Sequence, residues 1–232
     1  MKRILIAGAF ALAAGGQALA ADLPQPGPPP PRVPSTYVPT TAPVYNWSGI
    51  YFGINGGYAF GSSNWTSPGL PSTGAFSTNG FLVGGTLGGN YQWGQFVLGI
   101  EGDGDWTNLT GTTSNTSCSV FACTTQSDWL ATVRGRAGYA FDRILVYGTG
   151  GAAFGNLQAS SGTLPFSSST QVGWTAGAGI EAALSPNWTA KVEYLYVDLG
   201  SQSCGFGNCG APTTVSLTEN VVRAGINYKF GW

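Results

Sequence analysis

The segment Trp188-Thr-Ala-Lys-Val-Glu-Tyr-Leu-Tyr196 alternates strictly with a period of two. One face carries Trp188, Ala190, Val192, Tyr194 and Tyr196, and the other carries Thr189, Lys191, Glu193 and Leu195. Period-two alternation is the mark of a β-strand with unlike faces, because successive side chains point to opposite sides of the sheet. The same pattern recurs along the chain. Residues 129–141 set Trp129, Ala131, Val133, Ala137, Tyr139 and Phe141 against Arg134 and Arg136. Residues 96–106 set Phe96, Leu98, Ile100 and Trp106 against Glu101, Asp103 and Asp105. Residues 172–184 oppose an apolar face to Glu181, and residues 220–230 oppose one to Arg223, Asn227 and Lys229. Segments 49–60, 80–93 and 143–157 are richer in Gly but keep the period, which makes eight strands in all.

The connections alternate in length. Those near Gly94-Gln95, Asp142-Arg143 and Ser185-Pro186-Asn187 are tight turns, whereas 61–78, 108–126, 158–169 and 200–216 read as long loops rich in Ser, Thr, Gly and Asn. Short turns at one end and long loops at the other predict an all-β fold, an eight-stranded antiparallel transmembrane β-barrel of outer-membrane type. Composition agrees. Charged residues make up 8% of the chain, against about 25% in an ordinary soluble domain. The 43% of apolar residues argue against a disordered chain. A net charge of −1 with no basic tract makes nucleic acid an unsuitable partner, and the absence of His removes the most versatile acid–base and metal-binding side chain.

The eight tryptophans divide evenly between the two ends. Trp47, Trp93, Trp188 and Trp232 fall at the short-turn side, and Trp65, Trp106, Trp129 and Trp174 at or near the long-loop side. Two interfacial aromatic girdles would give this distribution. A soluble β-sandwich would place Trp mid-strand in its core.

Three domains are expected: a signal peptide over 1–20, a Pro-rich periplasmic segment over 21–45 and the barrel over 46–232. Met1-Lys2-Arg3, the apolar run Ile4–Ala14 and Ala18-Leu19-Ala20 form a cleavable export signal, since the apolar core is too short to span a bilayer. Residues 22–45 hold nine of the fourteen prolines, a stretch that is extended or disordered and serves either as a spacer or as a tail without a partner. Cys118 and Cys123 bracket one external segment, and Cys204 and Cys209 another. In an exported chain these read as two local disulfides, with a four-Cys metal site as the alternative.

Ala21-Asp22-Leu23-Pro24, Tyr45-Asn-Trp47-Ser-Gly49-Ile-Tyr51-Phe-Gly53 and the closing Val222-Arg-Ala-Gly225-Ile-Asn-Tyr228-Lys-Phe230 carry a resemblance over nearly the whole chain. They resemble the small outer-membrane proteins of alphaproteobacteria, the RopB-type family, related to opacity proteins and the OmpA membrane domain. The resemblance implies an eight-stranded surface barrel in the bacterial outer membrane that supports envelope integrity and host contact. Some members of that family are reported to bind haemin, for which this chain has no His to serve as an axial ligand.

The period-two reading puts ten charges inside the barrel: Glu101, Asp103, Asp105, Glu181 and Glu193 against Arg134, Arg136, Lys191, Arg223 and Lys229. Depth counted from the turns pairs Glu101 with Arg136 and Asp103 with Arg134. Asp128, Asp142, Arg143, Asp198 and Glu219 are assigned to strand ends or loops. An eight-stranded lumen is just wide enough for side chains to fill, so the expected function is non-enzymatic, with a plugged polar interior. The alternatives are a narrow solute channel along the same residues, or a receptor or adhesin borne on the loops, with Phe121 and Phe206 as contact candidates. Glu101-Gly-Asp103-Gly-Asp105 has the residue types of a calcium or acid–base site, but its alternation sets all three carboxylates on one barrel face beside arginines. Gly148-Thr-Gly150-Gly151 lacks the Lys and following helix of a phosphate loop. No cofactor or metal is expected. The expected partners are outer-membrane lipid, the outer-membrane assembly machinery, and host or phage surface ligands.

Overall fold

A computed structural model describes residues 27, 45–69, 72–114, 122–162, 164, 166–209 and 212–230. The expected signal peptide, nearly all of the Pro-rich segment, Cys118, Phe121 and Trp232 lie outside the described residues. Eight strands follow in chain order: β1 (Gly49–Thr66), β2 (Phe76–Trp93), β3 (Phe96–Thr113), β4 (Cys123–Phe141), β5 (Ile144–Ser161), β6 (Ser167–Ala183), β7 (Trp188–Cys204) and β8 (Thr213–Phe230). A single helical turn, α1 (Phe206–Cys209), sits between the last two. Each strand pairs antiparallel with its sequence neighbours. β8 closes on β1 from Ile50 opposite Phe230 to Thr66 opposite Thr214, so the sheet is a closed barrel.

Two of the short turns depend on left-handed backbone. Gly94 in the β2–β3 turn has φ +61°, a region open to Gly at little cost. Asp142 in the β4–β5 turn has φ +54°, which Asp tolerates better than most residues.

The outward face carries the apolar half of every alternation. Trp93 and Trp106 are 80% and 74% exposed, and Ile54, Phe81, Leu87, Leu98 and Ile100 are similarly open. On a soluble protein this would be one very large apolar patch. Here it is the lipid-facing wall. Trp93 and Trp188 lie at its lower edge, and Trp106, Trp129 and Trp174 at its upper edge. The stretch of β3 from Phe96 to Trp106 between those edges corresponds to a height of about 25 Å, the apolar band of such barrels.

Two tryptophans depart from the girdle expectation. Trp47 is only 1% exposed and fills the short-turn mouth of the barrel. Trp65 is buried in the lumen, where its indole N–H donates to Thr125 Oγ1 at 3.0 Å.

The strands also run further than expected. Most of the residues read as long loops over 61–78, 108–126, 158–169 and 200–216 are paired strand, and the true connections are 67–75, 114–122, 162–166 and 205–212. Above the upper girdle the outward face is no longer in hydrocarbon, so it carries Ser, Thr, Asn and Gln, and this composition hides the alternation. The inward face still fills the barrel: Leu157, Val197, Leu199, Val215 and Leu217 are fully buried there.

Candidate functional site

The lumen is packed in three layers. At the short-turn mouth, Tyr45 and Trp47 precede β1 and fold into the opening, joining Val97, Ala140, Leu145, Tyr147 and Ala183. The turn chemistry holds them in place. Tyr45 N–H donates to Asp142 Oδ1 at 3.0 Å, Trp47 N–H to Gln92 Oε1 at 2.7 Å, and the Trp47 indole to the Asp142 carbonyl at 3.0 Å. Lys229 was expected among the central charges. It lies instead at this mouth, with its ammonium 4.3 Å from the Tyr45 ring centroid and bonded to the Asn46 carbonyl. The last inward position of β8 is simply too close to the end of the barrel to reach the carboxylates. Burial pushes the Tyr45 phenol up from an ordinary 10.0 to about 12, with Glu181 adding to the rise and Arg143 opposing it.

The middle layer holds the other nine predicted charges in one connected network. Arg134 is bonded to Glu101 at 2.6 Å, Asp103 at 2.8 Å and Glu193 at 2.9 Å. Arg223 is bonded to Asp103 at 2.6 Å, Glu193 at 2.8 Å and Asp105 at 2.9 Å. Arg136 reaches Glu181 at 2.7 Å, and Lys191 reaches Glu101 at 2.8 Å. These bridges cross the lumen. β4 is tied to β7 through Arg134–Glu193, and β8 to β3 through Arg223–Asp103, in each case three strands apart around the ring.

Both pairs expected from depth are present, Asp103 with Arg134 at 2.8 Å and Glu101 with Arg136 at 3.6 Å, although the strand register itself is different. Glu101 stands directly opposite Arg134, and Asp103 directly opposite Thr132. The strands of a barrel are tilted and staggered, and Phe96 at the start of β3 faces Tyr139, two residues short of the end of β4. That stagger moves each directly opposite residue by two positions, and Arg134 reaches both Glu101 and Asp103.

Neutral side chains complete the network. Tyr51 donates to Glu101 Oε2 at 2.7 Å and accepts from Arg136 Nη1 at 2.9 Å. The Arg136 guanidinium lies 3.9 Å from the Tyr147 ring centroid. Thr132 donates to Asp103, and Thr189 and Asn227 donate to Glu181. Sequence reasoning did not single out Tyr51 and Tyr147 as members. Their parity was the available signal, since each sits between two outward apolar residues, Ile50 and Phe52 or Val146 and Gly148. Each needs room at a facing glycine, and a Cβ at Gly179 would lie 2.6 Å from the Tyr147 hydroxyl oxygen.

The third layer is aliphatic and continues above the girdle, with Trp65, Leu109, Leu130, Leu157, Leu195, Val215 and Leu217 in contact. Glu219 belongs to this layer, and not to a strand end or loop as expected. It is 2% exposed between Leu217 and Val221, and its Oε1 has no hydrogen-bond partner. Because β8 begins at Thr213, position 219 shares the inward parity of Arg223. Of the cysteines, Cys204 and Cys209 form a disulfide beside this layer. Among the described residues no group of three or more His, Cys, Asp or Glu is arranged to hold a metal ion. Glu101, Asp103 and Asp105 each face a guanidinium or ammonium group.

Over residues 34–230 the chain matches the family described as outer membrane protein beta-barrel domain. It belongs to that family. The 31 kDa outer-membrane immunogenic protein of Brucella melitensis is 36% identical over 251 residues, covering 99% of this chain and all of the relative. The 22 kDa outer membrane protein of Rhizobium leguminosarum is 34% identical over 191 residues, covering 81% and 80%. Among solved structures, Neisserial surface protein A covers 79% of this chain and 98% of its own at 17% identity, with a TM-score of 0.41. That likeness is too low to carry an argument. This outer-membrane β-barrel protein is therefore placed in the outer membrane, with its short turns facing the periplasm and its longer connections outside.

Proposed function

We propose that this outer-membrane barrel is a closed, non-enzymatic envelope element that braces the outer membrane and presents its outer connections as a contact surface. The observation that carries this reading is Arg134, whose wholly buried guanidinium is shared by carboxylates from β3 and β7 across the lumen. A solute path through the middle layer would have to break those bridges. Breaking one partner of a buried pair costs about 3–5 kcal/mol, because the other charge is left uncompensated. The Tyr45–Trp47 stopper below and the aliphatic layer above add two further barriers in series. On this reading the partners are outer-membrane lipid, the assembly machinery that receives the aromatic last strand, and host or phage ligands at the outer connections. The word immunogenic in the name of the Brucella relative supports exposure of those connections.

Planar-bilayer recording of the folded protein tests the closed lumen. A silent membrane is expected. Discrete openings that disappear when Asp105 or Arg223 is replaced would overturn it in favour of a channel.

A further inference from the structure

Above the upper girdle, the outward faces of β7, β8 and β1 form an ordered array of hydroxyl and amide groups. Ser216 lies between Ser201 and Asn64, and Thr218 lies between Asp198 and Ser62. Successive rows on a strand face are about 7 Å apart and neighbouring strands about 4.8 Å apart, so β8 and β1 present regular rows, while a bulge in β7 between Asp198 and Ser201 spaces its two members more widely. The lower row is level with the girdle, since Asp198 also pairs with Trp174 on β6. In the plane of the outer membrane, the molecules beside this array are the headgroups of the outer-leaflet glycolipid.

Asn64 Oδ1 already accepts from Ser72 Oγ at 2.6 Å and Asp198 Oδ1 from the Gly200 N–H at 2.8 Å, but the hydroxyls of the array are unsaturated. Ser62 and Thr218 share one long bond at 3.3 Å, and Ser216 donates to the Asn64 carbonyl at 3.4 Å. Each hydroxyl offers one donor and two acceptor positions, so most of that capacity remains free. The charge of the array is also restricted. Among the described residues every basic side chain lies elsewhere: Arg143 is in a periplasmic turn, and Arg134, Arg136, Lys191, Arg223 and Lys229 are inside. Phosphate groups are recognised by Lys and Arg. This face offers neither, and Asp198 would repel an anion. A surface of hydroxyls with one negative charge and no positive charge is complementary to the hydroxyl groups of a sugar.

We propose that this array docks the sugar hydroxyls of the core saccharide of the outer-leaflet glycolipid by direct hydrogen bonding, without phosphate contacts or bridging divalent cations. The proposal rests on the outer-membrane placement and is independent of whether the lumen conducts.

The test uses the full mature chain, folded in detergent micelles and immobilised. It is titrated with deacylated lipopolysaccharide core oligosaccharide, phosphorylated or chemically dephosphorylated, each with and without EDTA. Both forms should bind with affinities within about twofold of one another, and EDTA should change nothing. Ser62→Ala/Ser216→Ala/Thr218→Val should weaken binding at least about fivefold while the heat-dependent gel shift stays as in the parent chain. If the triple variant fails to shift, Thr218→Val alone is titrated, with a loss of about twofold or more expected. Four results would overturn the proposal: binding by the phosphorylated form only, loss of binding in EDTA, no binding of either form, or undiminished binding by the folded variant. A change from dimer to monomer in the variant, with saccharide binding intact, would assign the array to a second copy of the chain and also overturn it.

Discussion

Arg134 on β4 and Glu193 on β7 meet at 2.9 Å across the barrel, with neither side chain exposed. The two strands are not neighbours, so their separation is fixed by the curvature of the whole sheet. The bridge therefore reports on barrel closure as a whole. Glu193 is shared with Arg223, and Arg134 with Glu101 and Asp103, so removing one member leaves several others with an unmatched charge.

Arg134→Met keeps the volume and removes the charge. It should lower unfolding stability by about 3–5 kcal/mol, because three buried carboxylates lose a shared partner. Urea unfolding in lipid vesicles, followed by tryptophan fluorescence, measures this. A loss under about 1 kcal/mol would show that the network is not held together as the geometry implies.

Glu219 presents the opposite case, a buried carboxyl with no partner on Oε1. Glu219→Leu should raise stability by about 1–3 kcal/mol, the usual penalty for an unsatisfied buried polar group. The same unfolding assay reads it, and a destabilised variant would reveal a bond that Glu219 makes in the membrane.

Trp47→Ala empties the stopper at the periplasmic mouth. A loss of about 3–5 kcal/mol is expected from removal of a buried large aromatic side chain. The charge network above is untouched, so planar-bilayer recordings should remain silent. Conductance appearing in this variant alone would make the stopper the principal seal.

The Tyr45 phenol is held up at about 12 against an ordinary 10.0. In the unfolded chain it ionises near 10, while in the fold it stays protonated, so its contribution to stability is intact below pH 10 and declines as pH rises through 10 to 12. Ultraviolet phenolate absorbance should show a tyrosine titrating near 12 that is absent in Tyr45→Phe. If the two titrations superimpose, the mouth is open to water.

The membrane-spanning part of this fold was legible because lipid outside and charge inside impose the sharpest contrast a strand can carry. Lys191 and Glu193 sit between Ala190, Val192 and Tyr194, and their side of the sheet follows from parity alone. Above the membrane that contrast fades. Position 65 shares the inward parity of Tyr51 and Asn55, yet Trp65 read as a girdle residue because the surrounding Ser and Thr looked like loop. Glu219 was misplaced for the same reason, at a position where β8 had already begun. Trp47 lay beyond the reach of parity altogether. It precedes the first strand, and only the left-handed Asp142 turn and the Gln92 side chain bring it inside. Register was the remaining gap, since the stagger of a closed sheet is a property of the ring and is not written in any one strand.

Lys229 belongs to the last strand made, while Asn46, whose carbonyl it holds, stands just before the first. The seam between β8 and β1 and the seal at the mouth therefore share a side chain. The contact that ties the segment before β1 to the mouth is made by a side chain of β8, so it exists only where the two edge strands of the sheet lie together.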